Sequence, residues 1–388
     1  MKINTHEGTE VLKLTLNSKQ LLSTLLFVGK AIAANPVVVL LENVHVTIKP
    51  GEVQFTGDDY SKSISRTIEY PHIGETGSFM LPHKKTVELL KTLPDTPVDI
   101  IHTRKEERGE KGAVLVICEV MLIIEGKKFK LASEDHIDFP RQQVFDGATI
   151  ALAAQQLKDA INACLATAST DDMKPSLLGI HFNTAKGEIV SCDGGNMTVF
   201  RTGNAITADP FTVSTSFARL VMESITPDQQ NLELELSASS IRITNNRDTI
   251  TSRLVNHLYA DYQMAIPQNN PLKGRINLTD WGVAIRRSLI FASSNFATKN
   301  TFAPGKLILN TEDKDYGNDS RQEIDFEGDF DMEIGLQGKA ISAILQKTES
   351  KLARLEMSAN NRAILIYPEE TSAQELLLLS MPVLLLSE

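Results

Sequence analysis

The residues best suited to chemistry in this 388-residue chain are its histidines, cysteines and close-set carboxylates, and their spacing argues against catalysis. Eight histidines, His6, His45, His72, His83, His102, His136, His181 and His257, contain no HxxxH or HExxH pair, so no two fall on one helix face as zinc ligands would. Cys118, Cys164 and Cys192 form no CxxC pair, and their odd number implies neither a disulfide framework nor a zinc site. The adjacent acids Asp58-Asp59 and Asp171-Asp172 would point to opposite faces in a strand, and in a loop such residues cap turns. Cys192-Asp193-Gly194-Gly195-Asn196 reads as a hairpin turn, with a phosphate cradle as the alternative. Cys192 has no base nearby in sequence and reads as a small packed residue. There is no GxxxxGK[ST], GxGxxG or GxSxG segment, and no cofactor or metal is implied.

The elements that position these residues are mostly strands. Val44-His45-Val46-Thr47-Ile48, Val53-Gln54-Phe55-Thr56 and Ile241-Arg242-Ile243-Thr244 alternate with period two. Helical spacing marks six windows: 18–34, 83–93, 154–169, 214–225, 279–293 and 337–348. Ser18, Ser214 and Thr279 are the expected N-caps. The order helix, strands, helix, strands recurs three times. Gly51-Glu52-Val53-Gln54-Phe55-Thr56-Gly57-Asp58 is followed roughly 135 residues later by Gly187-Glu188-Ile189-Val190-Ser191-Cys192-Asp193. Pro304-Gly305-Lys306-Leu307-Ile308-Leu309 stands at the third equivalent point, and Arg66 and Arg201 trail their aspartates equally. The expected fold is therefore α+β, three copies of one unit of two helices on antiparallel sheets, with boundaries at 1–145, 146–269 and 270–388.

Composition is that of a folded globular chain: 42% hydrophobic, 23% charged, 22 Gly and 15 Pro exclude a disordered or collagenous protein. The start of the chain lacks a signal-like apolar stretch, and the longest apolar run, Leu376 to Leu386, is broken by Ser380 and Pro382. A reducing cytoplasm is expected, with no membrane partner. Lys+Arg number 39 against 49 Asp+Glu, a net charge of −10 that excludes simple polybasic binding. The charge is uneven, however. The six helical windows hold eleven Lys/Arg and four acids, so +7 sits there and −17 elsewhere. Glu is as good a helix former as Lys, so propensity alone does not explain its scarcity. A helix face turned toward a polyanion does, and with no stacking aromatics the contact would be to phosphates without reading sequence.

Several segments then resemble one family along the whole chain, the bacterial DNA polymerase III beta subunits, or sliding clamps. They are Pro36-Val37-Val38-Val39-Leu40-Leu41-Glu42-Asn43, Phe129-Lys130-Leu131 with Phe139-Pro140, Lys174-Pro175-Ser176-Leu177-Leu178-Gly179, Cys192-Asp193-Gly194, Asp261-Tyr262 with Pro267, Ile334-Gly335-Leu336 and Met381-Pro382-Val383. The resemblance implies a non-catalytic processivity factor. Two chains of three domains would join head to tail as a ring, with helices lining a hole around duplex DNA. Windows of 11–17 residues give helices about 17–25 Å long, enough to bridge phosphate ridges without entering a groove.

Residue roles follow from the resemblance. Lys19, Lys30, Lys174, Arg286 and Arg287 are the expected DNA-facing cations, with solvated surface charge as the alternative for each. Phe129 and Leu131 match one side of the family's dimer contact, and Ile290 and Phe291, placed on an amphipathic helix, match the other; each could instead be core. A hydrophobic pocket for linear motifs of the polymerase, clamp loader and repair proteins maps onto Leu177, Cys192, Gly194, Gly195, Asn196, Met197, Ala260, Met264, Ala265, Phe296, Gln337, Leu379, Met381, Pro382 and Val383. Leu379, Met381 and Val383 also suit a terminal core strand. The sequence departs from the family at Gly194-Gly195-Asn196-Met197, at Met264 and in the Leu384-Leu385-Leu386-Ser387-Glu388 ending. Positive charge is thereby lost at the pocket rim, and a more apolar partner motif is expected. A clamp-like protein without polymerase docking and an α+β enzyme using Asp193 or Asp171-Asp172 remain the alternatives.

Overall fold

A computed structural model describes residues 9–71, 75–108, 114–140, 145, 147–245 and 247–385. His6, His72 and the Leu386-Ser387-Glu388 ending lie outside the described residues. The chain divides into two compact units, one formed by 1–147 with 234–253, the other by 148–233 with 254–388. The three-domain division expected from the repeat does not nest within these units, since 234–253 falls in the expected 146–269 domain yet joins the first unit; it is kept as a proposal below.

The first unit holds two helices, α1 (Ser18–Val28) and α2 (His83–Lys91). One antiparallel sheet runs in the order Thr9–Asn17, Pro97–Arg108, Val114–Ile124, Lys127–Ser133. A second has the order Gly77–Pro82, Asn43–Lys49, Glu52–Asp58, Lys62–Glu69, Asp248–Arg253, Ser240–Asn245, extended by Leu234 to Leu236. Leu21, Leu25 and Val28 of α1 are fully buried, as are Phe55 and Ile64 of the second sheet. Burial of such side chains, worth roughly 1.5–3 kcal/mol each, is what holds an 11-residue helix that would be marginal alone.

The second unit carries α3 (Ala154–Cys164), α4 (Thr215–Ser224), α5 (Leu278–Ser288) and α6 (Gly338–Gln346). Twelve of its strands form one antiparallel sequence of neighbours, in which Asn196–Arg201 is bonded to the late strand Glu375–Ser380 from Asn196↔Ser380 to Arg201↔Glu375. All six expected helices are present among the described residues, each shorter than its window. The windows over-ran because single 3-10 turns follow α1 and α5 at Gly29–Ala31 and Leu289–Phe291. The helices, 9 to 11 residues, are therefore about 14–17 Å long, not up to 25 Å. Caps shift as well. Asn17 accepts from the N–H groups of Lys19 and Gln20, and Asn277 from those of Thr279 and Asp280, so Ser18 and Thr279 lie inside their helices. Ser214 caps α4 as expected, accepting from Phe217 N.

The repeat has a conformational mark. Gly51, Gly187 and Gly305 stand at the three equivalent turns with φ of 82°, 61° and 82°, where a side chain is strained. No described helix is long and apolar enough to cross a membrane.

Candidate functional site

The acids singled out for chemistry are turn-formers. Asp193 Oδ1 accepts the N–H groups of Gly195 at 2.8 Å and Asn196 at 2.7 Å, and Asp59 Oδ1 those of Ser61 at 2.9 Å and Lys62 at 2.8 Å. Asp171 accepts from Met173 N at 3.0 Å. These are local side-chain-to-backbone bonds that fix loop direction. Cys192 is half-buried beside Val190, Met197 and Tyr259, and burial pushes its thiol up, away from thiolate chemistry.

The fifteen residues assigned to a peptide pocket share the second unit, and a chain of direct contacts ties them together. Ala260 N–H donates to Ser176 O at 2.9 Å, joining the 254–271 segment to the 3-10 turn Pro175–Leu177. A Cβ at Gly194 would stand 3.8 Å from Leu177 Cδ1, so the absence of a side chain there leaves the turn open to Leu177. Met381 N–H donates to Gly195 O at 2.7 Å, and Val383 N–H to Gly335 O at 2.9 Å. Gly338 N–H bonds Phe296 O at 2.9 Å, next to Gln337, whose side chain caps α6 through Ala340 N at 2.8 Å. Met197 and Leu379 are opposed across the strand pair and buried, forming with Val190, Val199, Leu377 and Tyr262 the floor beneath these links. Asn196 is buried too. Gly194, Ala265, Met264 and Met381 are the exposed members, the two methionines at 86% and 42%; thioether chains repack easily around different occupants.

Two cations stand at these residues despite the rim's lost charges. Lys174 Nζ lies 3.3 Å from Asp193 O, and Lys339 Nζ lies 5.0 Å from the centre of the Phe296 ring. Lys174 is thus placed beside the Gly194 turn, off the helices. The other cations expected to face DNA are exposed. Lys19 on α1 reaches Leu93 O at 3.0 Å, Lys30 lies 5.7 Å over Phe27, and Arg286 and Arg287 occupy the last turn of α5, where they also favour the helix dipole. Within the observed bounds the six helices hold nine Lys/Arg and four acids, a net +5.

Phe129 and Leu131 are half-buried on Lys127–Ser133, an edge strand bonded on one side only. Ile290 and Phe291, 77% and 42% exposed, sit on the 3-10 turn Leu289–Phe291, so the expectation of an amphipathic helix there is corrected.

Sequence reading missed an anchor under the 254–271 segment. Glu188, buried, accepts from the Tyr262 hydroxyl and from Arg201 Nε at 2.9 Å, while Asn183 Nδ2 donates to Tyr262 Oη at 2.9 Å. Arg201 also pairs with Glu375. A charged residue amid Gly187-Glu188-Ile189-Val190 was the available signal, since carboxylates are buried only when paired. Burial and the Glu188 charge push the Tyr262 phenol up, which keeps it a donor.

The α+β units, repeated turns and strand pairings define a clamp-type fold. It is shared at TM-score 0.85 with a sliding clamp from Pseudomonas aeruginosa bound to griselimycin, covering 97% of this chain and 100% of that one at 19% identity. A Caulobacter crescentus beta sliding clamp superposes at TM-score 0.86 over 97% and 99% at 17% identity. Residues 12–141 match the family described as DNA polymerase III beta subunit, N-terminal domain. The chain is 22% identical to the beta sliding clamp of Rickettsia bellii, over 92% of its own length and 97% of that protein's, and 20% identical to that of Escherichia coli K12, over 96% and 99%. The chain is thus similar to bacterial beta sliding clamps along nearly its whole length, and its residues 12–141 match the N-terminal domain of the DNA polymerase III beta subunits.

Proposed function

We propose that this protein is the processivity clamp of a replicative DNA polymerase, a non-catalytic subunit that encircles duplex DNA without reading its sequence. The observation that carries this is the sign of the helices: +5 on six helices of a −10 chain whose fold is that of the clamps. Phosphate contacts from Lys19, Lys30, Arg286 and Arg287 would be weak, mobile and salt-dependent, and retention would come from ring closure. The repeat supports three domains, 1–145, 146–269 and 270–388.

Unpaired edges support a head-to-tail homodimer. Lys62–Glu69 pairs with Asp248–Arg253, and Asn196–Arg201 with Glu375–Ser380. Among the described residues Lys127–Ser133 lacks such a partner, as does one edge of the Asn318–Glu323 half of strand Asn318–Gly328. The first carries Lys127, Lys128 and Lys130; the second carries Asp319, Arg321 and Glu323 and continues to Asp325, a net −2. Joining them between two copies satisfies both edges with opposite charges, beside Phe129, Leu131, Ile290 and Phe291.

The Leu177–Met381 site is the docking place for linear motifs of the polymerase, clamp loader and repair proteins. Lys174 belongs to its rim as much as to DNA. The cytoplasm is where these partners act. Primer extension with the host's own polymerase and loader tests the reading: the protein should lengthen products per binding event, and unchanged product length contradicts it.

A further inference from the structure

Helix α5 ends close after two adjacent arginines, and two strands of the sheet hold that end from below. Gln322, on strand Asn318–Gly328, donates its side-chain amide to Ala284 O at 2.8 Å and to Ser288 Oγ at 2.8 Å. Thr311, on strand Lys306–Asp313, donates its hydroxyl to Ser288 O at 3.1 Å. Ser288 and Thr311 are buried, whereas Arg286 and Arg287 are exposed. One helical turn thus has a face fixed to the sheet and a charged face in solvent.

The three repeats differ here. Helices α1, α3 and α5 are each 11 residues long and end on Val28, Cys164 and Ser288. Each last carbonyl meets the sheet. A Cβ at Gly57 would stand 2.3 Å from Val28 O, Ser191 Oγ donates to Cys164 O at 2.7 Å, and Thr311 serves Ser288. Gly57 and Thr311 both stand six residues after their turn glycines, Gly51 and Gly305. The two residues before these helix ends are Leu26-Phe27 in α1, Asn162-Ala163 in α3 and Arg286-Arg287 in α5. The repeat with the arginine pair is therefore the one in which Gln322 joins the threonine.

Lys and Arg near a helix C-terminus commonly serve its unpaired carbonyls. In α5 that work is done by other groups: Gln322 and Thr311 donate to Ala284 O and Ser288 O, and Leu289 N–H closes on Ile285 O. Arg66, Arg201 and Arg275 are each engaged by a carboxylate, but among the described residues Arg286 and Arg287 have no ion pair or hydrogen bond. Both guanidinia are left for an anion from outside. A helix end with unsatisfied carbonyls frays, and ordering it on contact would subtract from the attraction to phosphate.

We propose that Gln322 is a positioning residue for DNA contact: through Ala284 O and Ser288 Oγ it keeps the last turn of α5 wound, so that Arg286 and Arg287 meet backbone phosphates of duplex DNA as a pair already in place. The proposal rests on the reading of α5 as DNA-facing.

The test measures affinity of the full-length protein for a labelled duplex by fluorescence anisotropy from low to moderate salt, at concentrations where sedimentation shows the same oligomer for every variant. The slope of log K against log salt counts phosphate contacts at about 0.9 each. Gln322→Met keeps the chain length, the net charge and both arginines but removes the donors. Its slope should be shallower by about one contact, with low-salt affinity about three- to tenfold weaker. Thr311→Val should act in the same direction by less, and carries the test if Gln322→Met does not fold. Arg286→Gln combined with Arg287→Gln sets the full loss, about two contacts. A role confined to stability would lower the melting temperature of Gln322→Met and leave its slope at the wild-type value. That result, beside a shallower slope in the double arginine variant, would overturn the positioning role alone. An unchanged slope in the double arginine variant would overturn the DNA-facing reading of α5 and this proposal with it.

Discussion

Ser380 Oγ donates a buried hydrogen bond of 2.8 Å to Asn196 Oδ1, while Asn196 Nδ2 donates to Asp193 Oδ2 at 3.1 Å. Residues 184 apart in sequence are thereby locked at the point where the Gly194-Gly195 turn meets the terminal strand. The floor of the apolar site is set by this junction. Replacing Ser380 by Ala leaves the Asn196 carbonyl buried without its partner, a cost of about 1–3 kcal/mol. Urea unfolding should show that loss, and binding of a Gln-Leu-x-Leu-Phe peptide, read by fluorescence anisotropy, should weaken with it.

Tyr262→Phe separates positioning from stability. It removes the hydroxyl that Glu188 and Asn183 share but keeps the ring in its cluster with Met197 and Leu379. Arg201 still pairs Glu188, so the melting temperature should fall by only a few degrees, in line with about 1 kcal/mol. Peptide affinity should fall about three- to tenfold, because Met264 and Ala265 ride on the turn that Tyr262 begins. An unchanged affinity would mean that this turn does not shape the site.

Phe291→Glu places a charge among the exposed apolar residues of the Leu289–Phe291 turn. Sedimentation should give folded monomers with unaltered circular dichroism. Dimers of undiminished strength would remove Phe291 from the interface. The wild-type dimer should also weaken with added salt, as a contact between Lys127, Lys128 and Lys130 and the acids of Asn318–Gly328 requires.

Burial lowers His45, His102 and His181 to about 4, His45 and His102 with the added repulsion of His136. Unfolded histidine titrates near 6.5, so between 6.5 and 4 the unfolded chain binds more protons. Stability is full above pH 6.5 and is lost as pH falls through that window, by on the order of several kcal/mol in sum. Denaturation midpoints measured from pH 8 to 4 should be flat above 7 and fall below 6.5. His102→Phe, which preserves the stacking on Phe79, should shallow the fall.

Helices, repeated turns and the charge split were legible because each depends on near neighbours: the period of α5, the glycine at Gly187, the lysines within one window. The caps slipped by one or two residues because Asn17 and Asn277 compete with the serine and threonine beside them. What sequence could not show was pairing across distance. Nothing near Asp248 indicates that it meets Arg66, 182 residues away, through two bonds of 2.6 Å. The apolar site was expected residue by residue from family resemblance and remains a proposal, whereas the anchor at Glu188 had no such precedent, since a buried carboxylate is recognised by partners that folding brings.

Central to the account is retention by topology with only weak phosphate contact. The direct measurement loads the protein onto nicked circular DNA with its clamp loader, isolates the complex, and follows bound protein before and after a single restriction cut. The account predicts retention on the circle for many minutes at moderate salt and release within the time of sliding once an end is made. Rapid loss from the intact circle, or undiminished retention on the cut DNA, would contradict it.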